Sequence, residues 1–130
     1  MNSKLSILQW NCQGLQAKYE SLKILIHENF PICISLQETM MGQNKTLCPR
    51  DYVSYHIDYN EERGSHGGSC VLVRQDIAHV KIPLQTGLQA IAVQLCLKRK
   101  YTICSIYIPP CSRLNHNLVQ GVDDVIRQLP

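Results

Sequence analysis

Two apolar runs near the start of the chain each stop at a polar group. Leu5-Ser6-Ile7-Leu8-Gln9-Trp10 ends in Asn11-Cys12-Gln13-Gly14, and Ile32-Cys33-Ile34-Ser35-Leu36-Gln37 ends in Glu38-Thr39. Short runs of this kind predict buried strands. Between them Leu15, Tyr19, Leu22, Ile26 and Phe30 share one stripe, opposite Lys18, Glu20 and Lys23. That spacing predicts an amphipathic helix over 16–29, closed by Asn29 and Pro31. Strand, helix, strand in this order implies a parallel pair with a right-handed crossover. Such pairing brings Asn11 and Glu38 out side by side at the carboxyl ends of one sheet, where α/β folds place their ligands.

The pattern then changes. Residues 39–50 are polar and irregular, a surface loop. Tyr52-Val53-Ser54-Tyr55-His56-Ile57 alternates with period two and reads as a half-exposed strand. A second polar loop, 60–68, ends in Gly67-Gly68 and leads into a strand over 70–74. Further strands are expected at 77–82, 89–97 and 101–107. Lys98-Arg99-Lys100 makes a solvated basic turn between the last two, consistent with an antiparallel hairpin. The tail returns to a helical period, with Leu118, Val122, Val125, Ile126 and Leu129 on one face and Ser112 or Asn115 available as a cap. Strands outnumber helices and helices flank them, so the chain reads as an α/β fold with a mixed sheet or a pair of sheets.

At 130 residues the chain has the size of one domain, and no linker or repeat divides it. With 45% hydrophobic and 18% charged residues it is globular rather than disordered. Asn29, Pro31 and Glu38 interrupt every stretch that could otherwise cross a bilayer. The start lacks the basic lead and apolar core of a signal peptide, so an intracellular rather than secreted protein is expected. A net charge of +3 tolerates a polyanionic partner without requiring one. The seven cysteines are odd in number, form no Cys-x-x-Cys, and mostly sit inside apolar runs. Reduced, buried thiols explain them better than disulfides or zinc. The five histidines show no ligand spacing; His27 falls in the helical stretch and His79 in a strand.

Three residues carry candidate chemistry. Asn11 closes the first strand, either as a turn residue ahead of Gly14 or as an oxygen donor. Glu38 directly follows a core strand, where a carboxylate must reach solvent or find a cation or donor. An amide oxygen and a carboxylate together suit a hard cation such as Mg²⁺. Tyr107 ends the run Tyr101-Thr102-Ile103-Cys104-Ser105-Ile106, and Ile108-Pro109-Pro110 stiffens the exit. Its hydroxyl either meets a ligand oxygen or caps the core. Gly67-Gly68 allows a close backbone approach or a bulge. Its spacing fits neither a P-loop nor a dinucleotide fingerprint, and no Gly-x-Ser-x-Gly occurs.

Four stretches in order carry a resemblance: Trp10-Asn11-Cys12-Gln13-Gly14, Leu36-Gln37-Glu38-Thr39, Gly67-Gly68 with Val71-Leu72-Val73-Arg74, and Ser105-Ile106-Tyr107-Ile108-Pro109-Pro110. Together they resemble the endonuclease/exonuclease/phosphatase superfamily, and within it the apurinic-type endonuclease domain of non-LTR retrotransposon polyproteins. The resemblance implies the N-terminal part of a four-layered α/β sandwich with mixed β-sheets. It also implies Mg²⁺ (or Mn²⁺) dependence and cleavage of a DNA phosphodiester. A reverse transcriptase domain is then expected downstream in a full-length protein. Carried over by position, Asn11 matches the asparagine that orients a metal or phosphate oxygen. Glu38 matches the glutamate that holds the metal, and Tyr107 the tyrosine that contacts the scissile phosphate.

Members of this family complete the site with an Asp-x-Asn motif on a later strand and an Asp-His pair near the C-terminus. Neither follows Tyr107 here; the late acids Asp123 and Asp124 lie in the expected helix. Residues 1–130 therefore read as a C-terminally incomplete domain, with weak or no turnover expected. Two alternatives stand beside the nuclease: a catalytically silent remnant acting as a binding or structural module, and a small-phosphoester phosphatase of the same superfamily.

Overall fold

The computed structural model describes residues 5–41, 47–57, 67–108 and 116–130. The expected strand–helix–strand unit is present as β1 (Ile7–Asn11), α1 (Leu15–Asn29) and β2 (Cys33–Gln37). β1 and β2 pair in parallel, with Asn11 opposite Gln37. After β3 (Tyr52–Ile57), β4 (Ser69–Arg74) inserts between β2 and β3, antiparallel to both. The result is a four-stranded mixed sheet, β1-β2-β4-β3. β5 (His79–Ile82), β6 (Gln89–Cys96) and β7 (Lys100–Tyr107) form a second, fully antiparallel sheet in chain order. The chain is therefore α/β, with both a mixed sheet and a sheet pair. α2 (His116–Gln128) follows.

Two cores lie on opposite faces of the mixed sheet. On one face α1 presses Leu15 and Leu22 against Ile34, Leu36, Cys70 and Leu72. On the other, Cys33, Val71 and Val73 meet Ile91, Val93 and Leu95 of the second sheet. β2 is covered on both sides and every residue in it is buried, which is why its sequence reads as an unbroken run. α2 rests on the approach to β6: Gly121 faces Leu88, and the Gln128 side chain exchanges hydrogen bonds with the backbone of Gln85.

Some expectations are corrected. Phe30 does not extend the buried stripe of α1. It caps the helix in a left-handed conformation (φ 40°), is 47% exposed, and stacks under the Arg74 guanidinium, 4.3 Å from its ring centre. The helix cannot continue into Pro31, so its last turn rolls Phe30 outward. Ile126 is exposed, because α2 buries Val125 instead. Cys48 is exposed, whereas Cys12, Cys33 and Cys70 are buried free thiols. The basic turn Lys98-Arg99-Lys100 is solvated as expected. The proposed caps Ser112 and Asn115, the Pro109-Pro110 pair and most of the 60–68 loop lie outside the described residues. Among the described residues no helix is long and apolar enough to cross a membrane.

Candidate active site

The surfaces that the two sheets turn toward each other change character along the strands. Residues opposite one another in a ladder share a face, so register sorts them. Toward one end the shared face carries Cys33, Val71, Val73, Val93 and Leu95. Toward the other end, in the same rows, stand Ser35 and Gln37 on β2, Ser69 on β4, Gln89 on β6, and Ser105 and Tyr107 on β7. Gln9 and Asn11 continue this polar end onto β1. A cleft of about 560 Å³ opens there, and Asn11, Glu38 and Tyr107 all line it. Three residues from distant parts of the sequence thus meet at the carboxyl ends of β1, β2 and β7.

Glu38 reaches the cleft by leaving the strand path. Simple alternation after the inward-facing Gln37 would send its side chain to the α1 side. Instead Glu38 has φ 53°, a left-handed conformation that is uncommon outside glycine. The turn keeps the carboxylate on the inter-sheet side, where Oε1 accepts the Tyr107 hydroxyl at 2.7 Å. Glu38 is 8% exposed, so this charge is largely withdrawn from water. A carboxylate can accept about four hydrogen bonds. The Tyr107 bond leaves acceptor capacity facing the cleft.

Backbone contacts from two sides hold the bend. The first turn of α1 has no side-chain cap; its orphan N–H groups find carbonyls here instead. Gly14 N–H donates to Glu38 O at 2.7 Å and Leu15 N–H to Thr39 O at 2.9 Å. From the other side Thr39 N–H donates to Gly68 O at 3.2 Å and Met40 N–H to Gly67 O at 3.0 Å. The expected close approach at the glycine pair is real. A Cβ on Gly68 (φ 86°) would land on Thr39 Oγ1, and one on Gly67 (φ 124°) would meet Gln89 Nε2 at 2.7 Å. Gln89 Oε1 in turn accepts Gly68 N–H at 2.7 Å.

Asn11 is exposed at the cleft rim, one ladder position from Glu38. Next to it, burial pushes the Cys12 thiol pKa up. Its sulfur lies 3.5 Å from Gln37 O and 3.8 Å from Glu38 O, so it is a protonated structural donor rather than a nucleophile. Among the described residues no three His, Cys, Asp or Glu side chains cluster as metal ligands. One carboxylate and one amide oxygen are nonetheless the sparse oxygen set with which Mg²⁺ is held, the remaining positions going to water and phosphate. The donor set fits such an ion.

Sequence reasoning did not assign Gln9, Gln37, Ser105 or Gln89 to the site. A signal was present: Gln9 with Asn11, Ser35 with Gln37, and Ser105 with Tyr107 are polar residues two apart inside otherwise apolar runs, hence on one face.

Comparison with curated proteins gives no match. Among solved structures, the chain is similar to the endonuclease domain of TRAS1, a telomere-specific non-LTR retrotransposon (TM-score 0.73, 17% identity), covering 95% of this chain and 54% of that one. It is also similar to D. rerio TDP2 complexed with a single-strand DNA product (TM-score 0.64, 18% identity; 99% and 57% covered). A third similar structure is a 3' phosphatase, NExo from Neisseria, bound to a product DNA hairpin (TM-score 0.64, 14% identity; 95% and 52% covered). The chain spans about half the length of each, and identities this low establish the fold alone. The model of the endonuclease/exonuclease/phosphatase family matches residues 8–124, nearly the whole chain. The chain belongs to the Endonuclease/Exonuclease/phosphatase family.

Proposed function

We propose that this cleft is the metal and phosphate site of a DNA-cleaving endonuclease domain of the non-LTR retrotransposon type, with a reverse transcriptase expected downstream in a full-length protein. The observation that carries the reading is the meeting of Tyr107 and Glu38 at 2.7 Å in a cleft that Asn11 also lines. DNA is favoured as substrate because the similar structures include a retrotransposon endonuclease and two proteins bound to DNA products.

In this proposal the Glu38 carboxylate and the Asn11 amide oxygen would hold Mg²⁺ or Mn²⁺. When bound, the ion acts as a Lewis acid on a phosphate oxygen and offsets charge on the leaving oxygen. Glu38 is preset for this by burial and by a bend that fixes its direction. Tyr107 holds the carboxylate through its hydroxyl proton. The same hydroxyl is placed to donate to a phosphate oxygen in the cleft. Asn11, at the rim, meets the incoming phosphate first. Between Tyr107 and Pro130 stands no Asp-x-Asn or Asp-His group that would orient and deprotonate water. A general base and its partner each contribute factors of about 10² to 10⁴, so turnover by these residues alone is slight.

The test is nicking of supercoiled plasmid in Mg²⁺ or Mn²⁺. Slow nicking by the wild-type chain, abolished by chelator and by Glu38→Ala and reduced by Tyr107→Phe, is expected. Equal nicking by wild type and Glu38→Ala overturns the catalytic reading and leaves a binding or structural module. Hydrolysis of a small phosphoester with no nicking moves the substrate to the phosphatase class.

A further inference from the structure

The polar end of the inter-sheet space contains a buried amide that the proposed chemistry does not use. Gln37 is 7% exposed and spends all of its hydrogen-bonding groups inside the protein. Its Nε2 donates to Ser35 Oγ at 2.9 Å and to Ser105 Oγ at 2.8 Å, and its Oε1 accepts Gln9 Nε2 at 2.5 Å. These contacts join three strands. Gln9 lies on β1 two residues before Asn11, Gln37 ends β2 one residue before Glu38, and Ser105 lies on β7 two residues before Tyr107. The strands tied by this one side chain are those that deliver the three candidate residues to the cleft.

Stability alone gives little reason for an amide here. Farther along the same face the space between the sheets is filled by Cys33, Val71, Val73, Ile91 and Val93. A satisfied buried hydrogen bond contributes about 1 kcal/mol net, and replacing both partners by apolar groups is often close to neutral. A hydrogen-bonded network gives direction, which apolar contact does not. The Gln37–Ser105 bond fixes how far along its axis β7 sits relative to β2. A slip of β7 by one residue would carry Tyr107 about 3.4 Å along and turn it to the other face.

We infer that Gln37 is a positioning residue: by tying β1, β2 and β7 together it sets the distance between Glu38, Tyr107 and Asn11, and so the affinity of the cleft for a divalent cation. The inference rests on the reading of the cleft as a metal site, and the test separates the two. Mn²⁺ binding to the protein is followed by electron paramagnetic resonance for wild type, Glu38→Gln, Gln37→Met, Ser105→Ala and the Gln37→Met/Ser105→Ala double variant, with thermal melts alongside. Partners that orient a ligand typically contribute about tenfold or more in metal affinity. Gln37→Met and Ser105→Ala are each expected to weaken Mn²⁺ about tenfold, and the double variant no further than the singles. The single variants leave a buried partner unsatisfied and are expected to melt somewhat lower, the double variant less so. Binding is therefore compared at a temperature where every variant is folded, where a purely structural role would leave affinity unmoved. If Gln37→Met does not fold, Ser105→Ala removes the same bridge from the other strand and decides the matter. If Glu38→Gln abolishes binding while Gln37→Met and Ser105→Ala bind as wild type, the positioning role is wrong and the metal reading stands. If Glu38→Gln binds Mn²⁺ as wild type does, or neither binds, the metal reading falls and the positioning role with it.

Discussion

A glutamate in a left-handed backbone with a buried carboxylate is unfavourable twice over, and both costs sit at one position. The conformation costs a non-glycine residue about 1–2 kcal/mol. Burial of the charge adds to it, offset in part by the Tyr107 hydroxyl. Such strain persists where the surroundings over-determine it; here α1's first N–H groups and Gly67-Gly68 do so. This leads to a comparison between two small substitutions. Glu38→Gly and Glu38→Ala remove the same carboxylate, but only glycine adopts φ 53° freely. Glu38→Gly is expected to be about 1 kcal/mol more stable than Glu38→Ala in urea denaturation, and both to lose nicking. Equal stability would mean that the bend relaxes without strain. The position of Glu38 was legible, because a carboxylate ending an apolar run stands out. Its direction was not, since alternation along β2 points the other way and the positive φ has no signature in the letters Leu-Gln-Glu-Thr. The Gln37–Ser105 bond was hidden for a different reason. Its partners are 68 residues apart, and only the packing of one sheet on another brings them together.

The elements were more legible than their edges. β2 announced itself as a fully buried strand because both of its faces are covered, and the β6–β7 hairpin because Lys98-Arg99-Lys100 separates two apolar runs. The insertion of β4 between β2 and β3 could not be read. Each strand has the right period, but strand order is decided by which edges are free when they meet. That insertion places two thiols in dry surroundings on neighbouring strands. Burial pushes the Cys33 pKa from 9.0 up to about 12, and that of Cys70 up to about 11. Both keep their protons more tightly folded than unfolded. The native state therefore has its full advantage below pH 9, and loses it as pH rises from there through the folded values. At pH 10 each thiol would cost on the order of 1 kcal/mol, and the pair a few. Urea midpoints at pH 8 and pH 10 check this: a clear drop is expected in wild type and a smaller one in Cys33→Ala. An unchanged midpoint at pH 10 would mean that water reaches these thiols in the native state.

At the scale of the whole molecule the candidate residues sit partly on edge strands. Among the described residues β1 ends the mixed sheet and β7 ends the antiparallel one. Both strands carry candidate residues, so the cleft is lined by two sheet edges. β1 exposes apolar surface there: Ile7 is 50% exposed although it lies on the face that Cys33 buries, and Leu5 just before it is 58% exposed. On β7, Tyr101 at the far end of the strand is 49% exposed, and Ile108, which follows the strand and lines the cleft, is 41% exposed. Open strand edges with apolar neighbours are templates for pairing, and nothing on β1 blunts its edge: it carries no charge and no proline. A second copy of the chain is the simplest partner, since every molecule presents the same edge. The 130-residue chain is expected to self-associate at about micromolar to millimolar concentrations. Sedimentation velocity across that range should show the association, and Ile7→Lys, an inward-pointing charge on the edge strand, should suppress it without disturbing α1 or the inter-sheet core. A chain that stays monomeric throughout, with one sharp melting transition, would show that β1 and β7 are protected by a device other than pairing.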